Sequence, residues 1–294
     1  MKPLRVALPA FAVLALATLN PLWSAPGWPM SHEGPAFALR THIYARHFSG
    51  WDLMPIWSSA DASGFGSPMP LLYHKLFYVL AGGLDLVTGS LKSADMSAVA
   101  ILLVAGATGL YLTVRALGAG PLAAIIAGCC LITANYTVTN WEVRGALAES
   151  CAAMVTPWVF LFFVKTIQLG RMTMGLGVAL GLLWLSHSVL AFFAALILAV
   201  TYLILAIARL APLSVLNPRT AWPAVLCFAL LVGPYLVPLA ILGRAYDVNR
   251  ILTPPYRPVY QFRSVSAYFW EQRWHFGSTA SGLTVQLDHA MPCS

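Results

Sequence analysis

Residues 172–208 read MTMGLGVALGLLWLSHSVLAFFAALILAVTYLILAIA, a stretch without Asp, Glu, Lys or Arg. One membrane span needs roughly 20 apolar residues. This stretch exceeds one ordinary span, and the polar cluster Ser186-His187-Ser188 near its middle predicts a break into two short helices, Met172–His187 and Val189–Arg209, that need tilt or a thinned bilayer. Working outward, further apolar segments predict spans over Leu4–Trp23, Asp95–Val114, Pro121–Asn140, Leu147–Lys165 and Thr220–Gly243. The expected fold is all-α, a polytopic transmembrane helical bundle of about seven spans.

Composition agrees with this pattern. The chain has 294 residues, 59% hydrophobic and 9% charged, whereas soluble domains carry about 25% charged residues. A water-soluble core is excluded. The net charge of +7 comes from 17 scattered basic residues, with no basic run interleaved with aromatics, so no nucleic-acid partner is expected. Of the five cysteines, Cys129, Cys130, Cys151 and Cys227 lie in or beside apolar segments without metal-ligand spacing, and Cys293 stands apart. The segment Met1–Trp23 begins with Lys2 and Arg5 but has no clear small-x-small cleavage site, which favours a retained first helix over a signal peptide.

Alternating spans from a cytoplasmic N-terminus gather Lys2, Arg5, Arg115, Lys165, Arg171, Arg209 and Arg219 on one side, as the positive-inside rule requires. The acids then fall outside or at the outer membrane edge. Residues 1–243 form the transmembrane unit. Its long first outer loop, 24–94, holds two predicted interfacial helices, Phe37–Phe48 and Pro70–Val87, separated by the turn Ser63-Gly64-Phe65-Gly66-Ser67-Pro68. Residues 244–294 form an extracytoplasmic C-terminal segment that can open a further region, and its Glu271, His275 and His289 are unplaced.

Four groups with chemical capacity share the outer face: His32-Glu33-Gly34, His74-Lys75, Glu142 to Glu149 with Arg144, and Ser186-His187-Ser188. Ionisable residues at the ends of apolar spans are costly to leave unpaired, so such clusters are functional candidates. Glu33 can accept a proton from a hydroxyl or bind a divalent cation, or it is a solvated loop acid. Glu142 and Glu149 face one way on a continuous helix, where Arg144 can pair with either; the alternative is a structural ion pair capping the fourth span. Lys75 and Arg144 are cations suited to a lipid phosphate, or simply to snorkelling and attraction to anionic lipid. His187 ends an apolar helix, a position where histidine is more often structural than a ligand.

The stretches His32-Glu33-Gly34 with Arg40, Met54-Pro55-Ile56-Trp57, Gly64-Phe65-Gly66-Ser67-Pro68, Leu72-Tyr73, Val143-Arg144-Gly145-Ala146-Leu147-Ala148-Glu149 with Pro157, and Leu185-Ser186-His187-Ser188 carry a resemblance. Together they span Trp28 to Leu190. The chain resembles bacterial multi-pass membrane proteins labelled pyruvoyl-tetrahydropterin-synthase-related, which are similar to the GT-C glycosyltransferase superfamily; the label implies no pterin chemistry. The resemblance implies a bacterial inner-membrane enzyme that transfers a sugar from a polyprenyl-phosphate donor to an extracytoplasmic glycan or lipid acceptor. It implies Glu33, with His32, at the catalytic position, where the family pattern usually has Asp. It further implies a network of Lys75, Arg144, Glu142, Glu149, Arg40 and His187 around the donor phosphate, and a divalent cation, if one is used, at Glu33. The other reading is a non-catalytic membrane component of polysaccharide assembly or export.

Overall fold

The computed structural model describes residues 2–27, 31, 33 and 36–243. His32 and all of 244–294, with Glu271, His275 and His289, lie outside the described residues. Eleven α-helices follow one another, and no strand occurs among the described residues. They are α1 (Lys2–Ser24), α2 (Ala36–Ser49), α3 (Met69–Leu72), α4 (Leu76–Thr88), α5 (Leu91–Ala116), α6 (Pro121–Thr133), α7 (Asn135–Val138), α8 (Leu147–Leu169), α9 (Met174–Ser186), α10 (Ser188–Ile207) and α11 (Pro218–Leu242). Among the described residues six of them, α1, α5, the α6–α7 unit, α8, α10 and α11, are long and apolar enough to cross a membrane. The protein is therefore an all-α membrane bundle.

The seventh expected span is α9. Its 13 residues rise about 20 Å at 1.5 Å per residue, against a hydrocarbon core of about 30 Å. The break falls where the polar triplet predicts it, with His187 extended (φ −163°, ψ 102°) between α9 and α10. Because α9 is short, its end stops beside the second turn of α8, where Ser186 lies 3.5 Å from Cys151.

Small residues set the helix approaches. Gly106 and Gly109 of α5 face Met154 and Trp158 of α8 so closely that a Cβ would sit 2.6 Å from Met154 Sδ and 2.7 Å from Trp158 Nε1. The Trp158 indole donates to the Ala105 carbonyl at 3.0 Å, and the Thr113 hydroxyl donates to the Pro157 carbonyl at 2.9 Å. Hydrogen bonds and close van der Waals contact of this kind drive helix association where lipid removes the hydrophobic term. The register makes α5 and α8 parallel. Helix α9 likewise runs parallel to α11, with Gly177 pressed on the Ala224 carbonyl.

The outer-loop helices differ from the expected interfacial arrangement. Phe37–Phe48 is helical as α2, but 70–87 is interrupted: α3 ends at Leu72, Tyr73-His74-Lys75 is non-helical, and α4 restarts at Leu76. Helix α4 packs between α2 and α5, burying Phe77 and Tyr78 completely. Gly82 permits this, since a Cβ there would meet Tyr44 Cβ at 2.8 Å. The turn between them forms as expected, with Gly64 and Gly66 at positive φ and a Ser58–Ser67 bridge closing it. Asp95, expected at an edge, is fully buried in the second turn of α5, where the Thr41 hydroxyl donates to its Oδ1 at 2.6 Å.

The α9–α11 contact leaves no room for a side chain at residue 177. Gly177→Val is expected to lower stability by about 1–3 kcal/mol, the usual scale for overpacking. Thermal unfolding in detergent checks this, and an unchanged transition would contradict the close approach.

Candidate functional site

Residues from the first loop, the α7–α8 junction and the α9–α10 break meet at one end of the bundle. The junction is built first. After α7 the chain makes a π-helical turn, Thr139–Val143, and leaves helical geometry at Arg144-Gly145-Ala146 before α8 begins. Gly145 has φ +67°, and an added Cβ would lie 2.4 Å from Ser31 Oγ and 3.3 Å from Glu33 Cβ. Only glycine allows both the backbone conformation and the approach. The first loop is fastened here, because the Glu33 amide donates to the Arg144 carbonyl at 3.1 Å.

The interruption corrects one expectation. Glu142 and Glu149 do not share a face of a continuous helix. Glu149, in the first turn of α8, accepts from Arg144 Nη1 at 2.9 Å and from the Tyr136 hydroxyl at 2.5 Å, while the same Nη1 donates to Asn140 Oδ1 at 2.5 Å. The Glu142 side chain makes no hydrogen bond or ion pair with another described residue. The ion pair at the start of α8 is thus Arg144–Glu149 alone.

Glu33 sits in a second cluster. Its Oε2 is ion-paired with Arg40 of α2, and the Tyr73 hydroxyl donates to Oε1 at 3.3 Å. The Arg40 guanidinium lies 3.9 Å over the Tyr73 ring and donates to Tyr78 Oη at 3.3 Å. Burial works against the Arg40 charge, but Tyr78, Tyr73 and Glu33 outweigh it and hold the group firmly protonated. Burial raises the Tyr73 phenol, so Tyr73 remains a donor.

His187 caps α10, accepting the Leu190 amide at Nδ1 (3.4 Å), and its ring stacks on His74 with centroids 4.2 Å apart. The Ser188 amide points at His74 Nδ1 from 3.5 Å. With both Nδ1 atoms accepting, the neutral rings carry their protons on Nε2. Burial, then His187, Lys75 and Arg40, push His74 down to about 4, and burial also lowers His187.

Lys75 is placed differently from a cation at an open interface. It is only 6% exposed, its amide donates to the Leu185 carbonyl at 2.8 Å, and its Nζ donates to the Leu71 and Tyr73 carbonyls at 3.0 and 3.1 Å. Burial brings it down to about 8. It faces α11, whereas the Tyr73 hydroxyl faces Glu33.

Among the described residues no group of three His, Cys, Asp or Glu side chains gathers to hold a metal ion. Glu33 does not fit a divalent cation as it stands, since Arg40 and Tyr73 occupy its carboxylate. The structure thus brings Glu33 and Arg40 together with Tyr73, and joins Arg144 to Glu149. Tyr73, Tyr78, Tyr136 and Asn140 complete these clusters without having been selected from the sequence as site residues. Their signal was available in the proximity of aromatic and amide groups to the arginines, but no spacing rule links Arg40 to Tyr73. Comparison with protein-family models, curated proteins and solved structures gave no match.

Two outcomes follow. Gly145→Ala is expected to cost about 1–3 kcal/mol through backbone strain and to release the Glu33 loop, measured as faster amide exchange at Glu33. Stability should also fall with acid: His74 binds its proton less readily folded than unfolded, so the loss begins as pH drops through the ordinary histidine value of 6.5 and levels off below about 4. His74→Phe should flatten that slope in denaturation curves recorded across this range.

Proposed function

We propose that the chain is a GT-C-like membrane glycosyltransferase that moves a sugar from a polyprenyl-phosphate donor to a glycan or lipid acceptor at the outer face of a bacterial plasma membrane. The observation that carries this reading is the Glu33 carboxylate. It is partly exposed and paired with the Arg40 guanidinium at the end of an apolar bundle, and its residue is fastened to the α7–α8 junction by the backbone bond to the Arg144 carbonyl. These are the parts that transfer to a hydroxyl requires.

An acceptor hydroxyl takes the place of Tyr73 at Glu33 Oε1, which is held by only a long hydrogen bond. Its oxygen attacks the anomeric carbon, the bond from that carbon to the phosphate oxygen breaks, and the phosphate leaves with the electron pair. The hydroxyl proton passes to Glu33. Arg40 orients the Glu33 carboxylate through their ion pair. Among the described residues Arg144 bonds through Nη1, which leaves Nη2 and Nε for phosphate oxygens and for stabilising charge on the leaving group. Because a polyprenyl phosphate leaves readily, no acid on the leaving side is required. Lys75 takes no part in this step, since two carbonyls hold its ammonium away from Glu33.

A second reading has support in the Arg144–Glu149–Tyr136–Asn140 cluster, in which Arg144 bonds Asn140 Oδ1 and Glu149, and Tyr136 bonds Glu149, while Asn140 Nδ2 has no partner among the described residues. A non-catalytic component of polysaccharide assembly or export would use it as a rigid brace. The two readings separate on Glu33. Glu33→Gln is expected to lower transfer from a polyprenyl-phosphate sugar about a hundredfold or more, with membrane insertion unchanged, in an assay of purified protein in liposomes. Transfer at the original rate would remove Glu33 from the catalytic role, and absence of transfer by the unsubstituted chain would favour the brace.

A further inference from the structure

Beside the short α9 lie two neighbouring spaces that share Trp184 in their walls. On its α10–α11 side runs an apolar groove of about 330 Å³, lined among others by Met172, Leu180, Trp184, Phe192, Ala195 and Phe228. At its upper end Trp184 also lines a second cleft of about 90 Å³, whose other walls include His74, Lys75, Ser188, Tyr235 and Leu239. One space accepts hydrocarbon only; the other contains a cation.

Lys75 has no carboxylate partner among the described residues. Its ammonium is met by two neutral carbonyls and by the Tyr235 ring, 4.4 Å from Nζ. A buried cation without a counter-charge is costly, and dipoles and a ring face offset that cost only in part. An anion in the cleft would complete the site. The groove adjoining it limits what carries that anion. From Leu176 to Trp184 it follows α9 for about 12 Å of helix, and Met172 extends it beyond the helix start, a length comparable to the roughly 15 Å that one leaflet contributes to the hydrocarbon core.

We propose that the groove and cleft form a single binding site for a bilayer glycerolipid with an anionic phosphate headgroup, one acyl chain lying along α9 and the phosphate facing Lys75. The site is on the opposite side of Tyr73-His74-Lys75 from Glu33 and does not depend on the glycosyltransferase reading. A long polyprenyl chain has the same phosphate chemistry but exceeds the groove, so a glycerolipid is the occupant.

The test is native mass spectrometry of the full chain purified in mild detergent and incubated with equal amounts of phosphatidylglycerol, phosphatidylcholine and a long-chain polyprenyl phosphate. One phosphatidylglycerol per chain is expected to survive activation. Ala195→Trp, which fills the groove from an exposed position on α10, should lower that occupancy about tenfold, a change of roughly 1.4 kcal/mol in binding. Lys75→Gln should erase the preference for phosphatidylglycerol over phosphatidylcholine; should that variant fail to fold, Ala195→Trp decides alone. Equal retention of phosphatidylcholine, preferential retention of polyprenyl phosphate, or full occupancy in Ala195→Trp overturns the proposal.

Discussion

A helix that stops within an apolar bundle exposes its last carbonyls where water cannot reach them, and a lipid-facing carbonyl costs several kcal/mol. Helix α9 stops after 13 residues, and the resolution of that problem organises the rest of the molecule. The Lys75 amide reaches the Leu185 carbonyl, so the first loop must descend to the end of α9. That descent places His74 on His187 and turns Tyr73 toward Glu33. It also breaks the helix expected over 70–87 into α3 and α4, because Tyr73-His74-Lys75 serve the neighbouring helix instead of their own.

The same constraint explains what was legible in the sequence. The spans were legible because hydropathy over some 20 residues is a direct consequence of membrane thickness. The break at Ser186-His187-Ser188 and the glycine turn at 64–66 were legible because polar triplets and positive φ have local causes. The descent of Tyr73-His74-Lys75 was not, since nothing local marks residues that satisfy a distant carbonyl. An aromatic run with one lysine is equally compatible with an interfacial helix. The break at Gly145 was hidden for a similar reason: seven-residue spacing suggests one helical face, and only the contact with Ser31 and Glu33 reveals why glycine stands there.

Charge is arranged as separate compartments rather than as one field. Glu33 with Arg40 and Glu149 with Arg144 are each close to neutral pairs, while Lys75 is matched by dipoles. Removing one partner of a paired group would leave a charge in a poorly solvated place, which is more disruptive than replacing both. The tyrosines around Arg40 add a face and two hydroxyls to this arrangement, so its fixed orientation does not rest on the ion pair alone.

The fastening of Ser31 and Glu33 to Gly145 also bears on biogenesis. A chain inserted from its N-terminus presents the Glu33 loop early, yet the surface that fixes it arrives only after α5 and α6 have been threaded and α8 has begun. Until then the loop carboxylate has Arg40 as a partner but no floor beneath it. Assembly of the site is thereby coupled to completion of the first three long helices, and a chain stalled before the α7–α8 junction would display the carboxylate without its geometry.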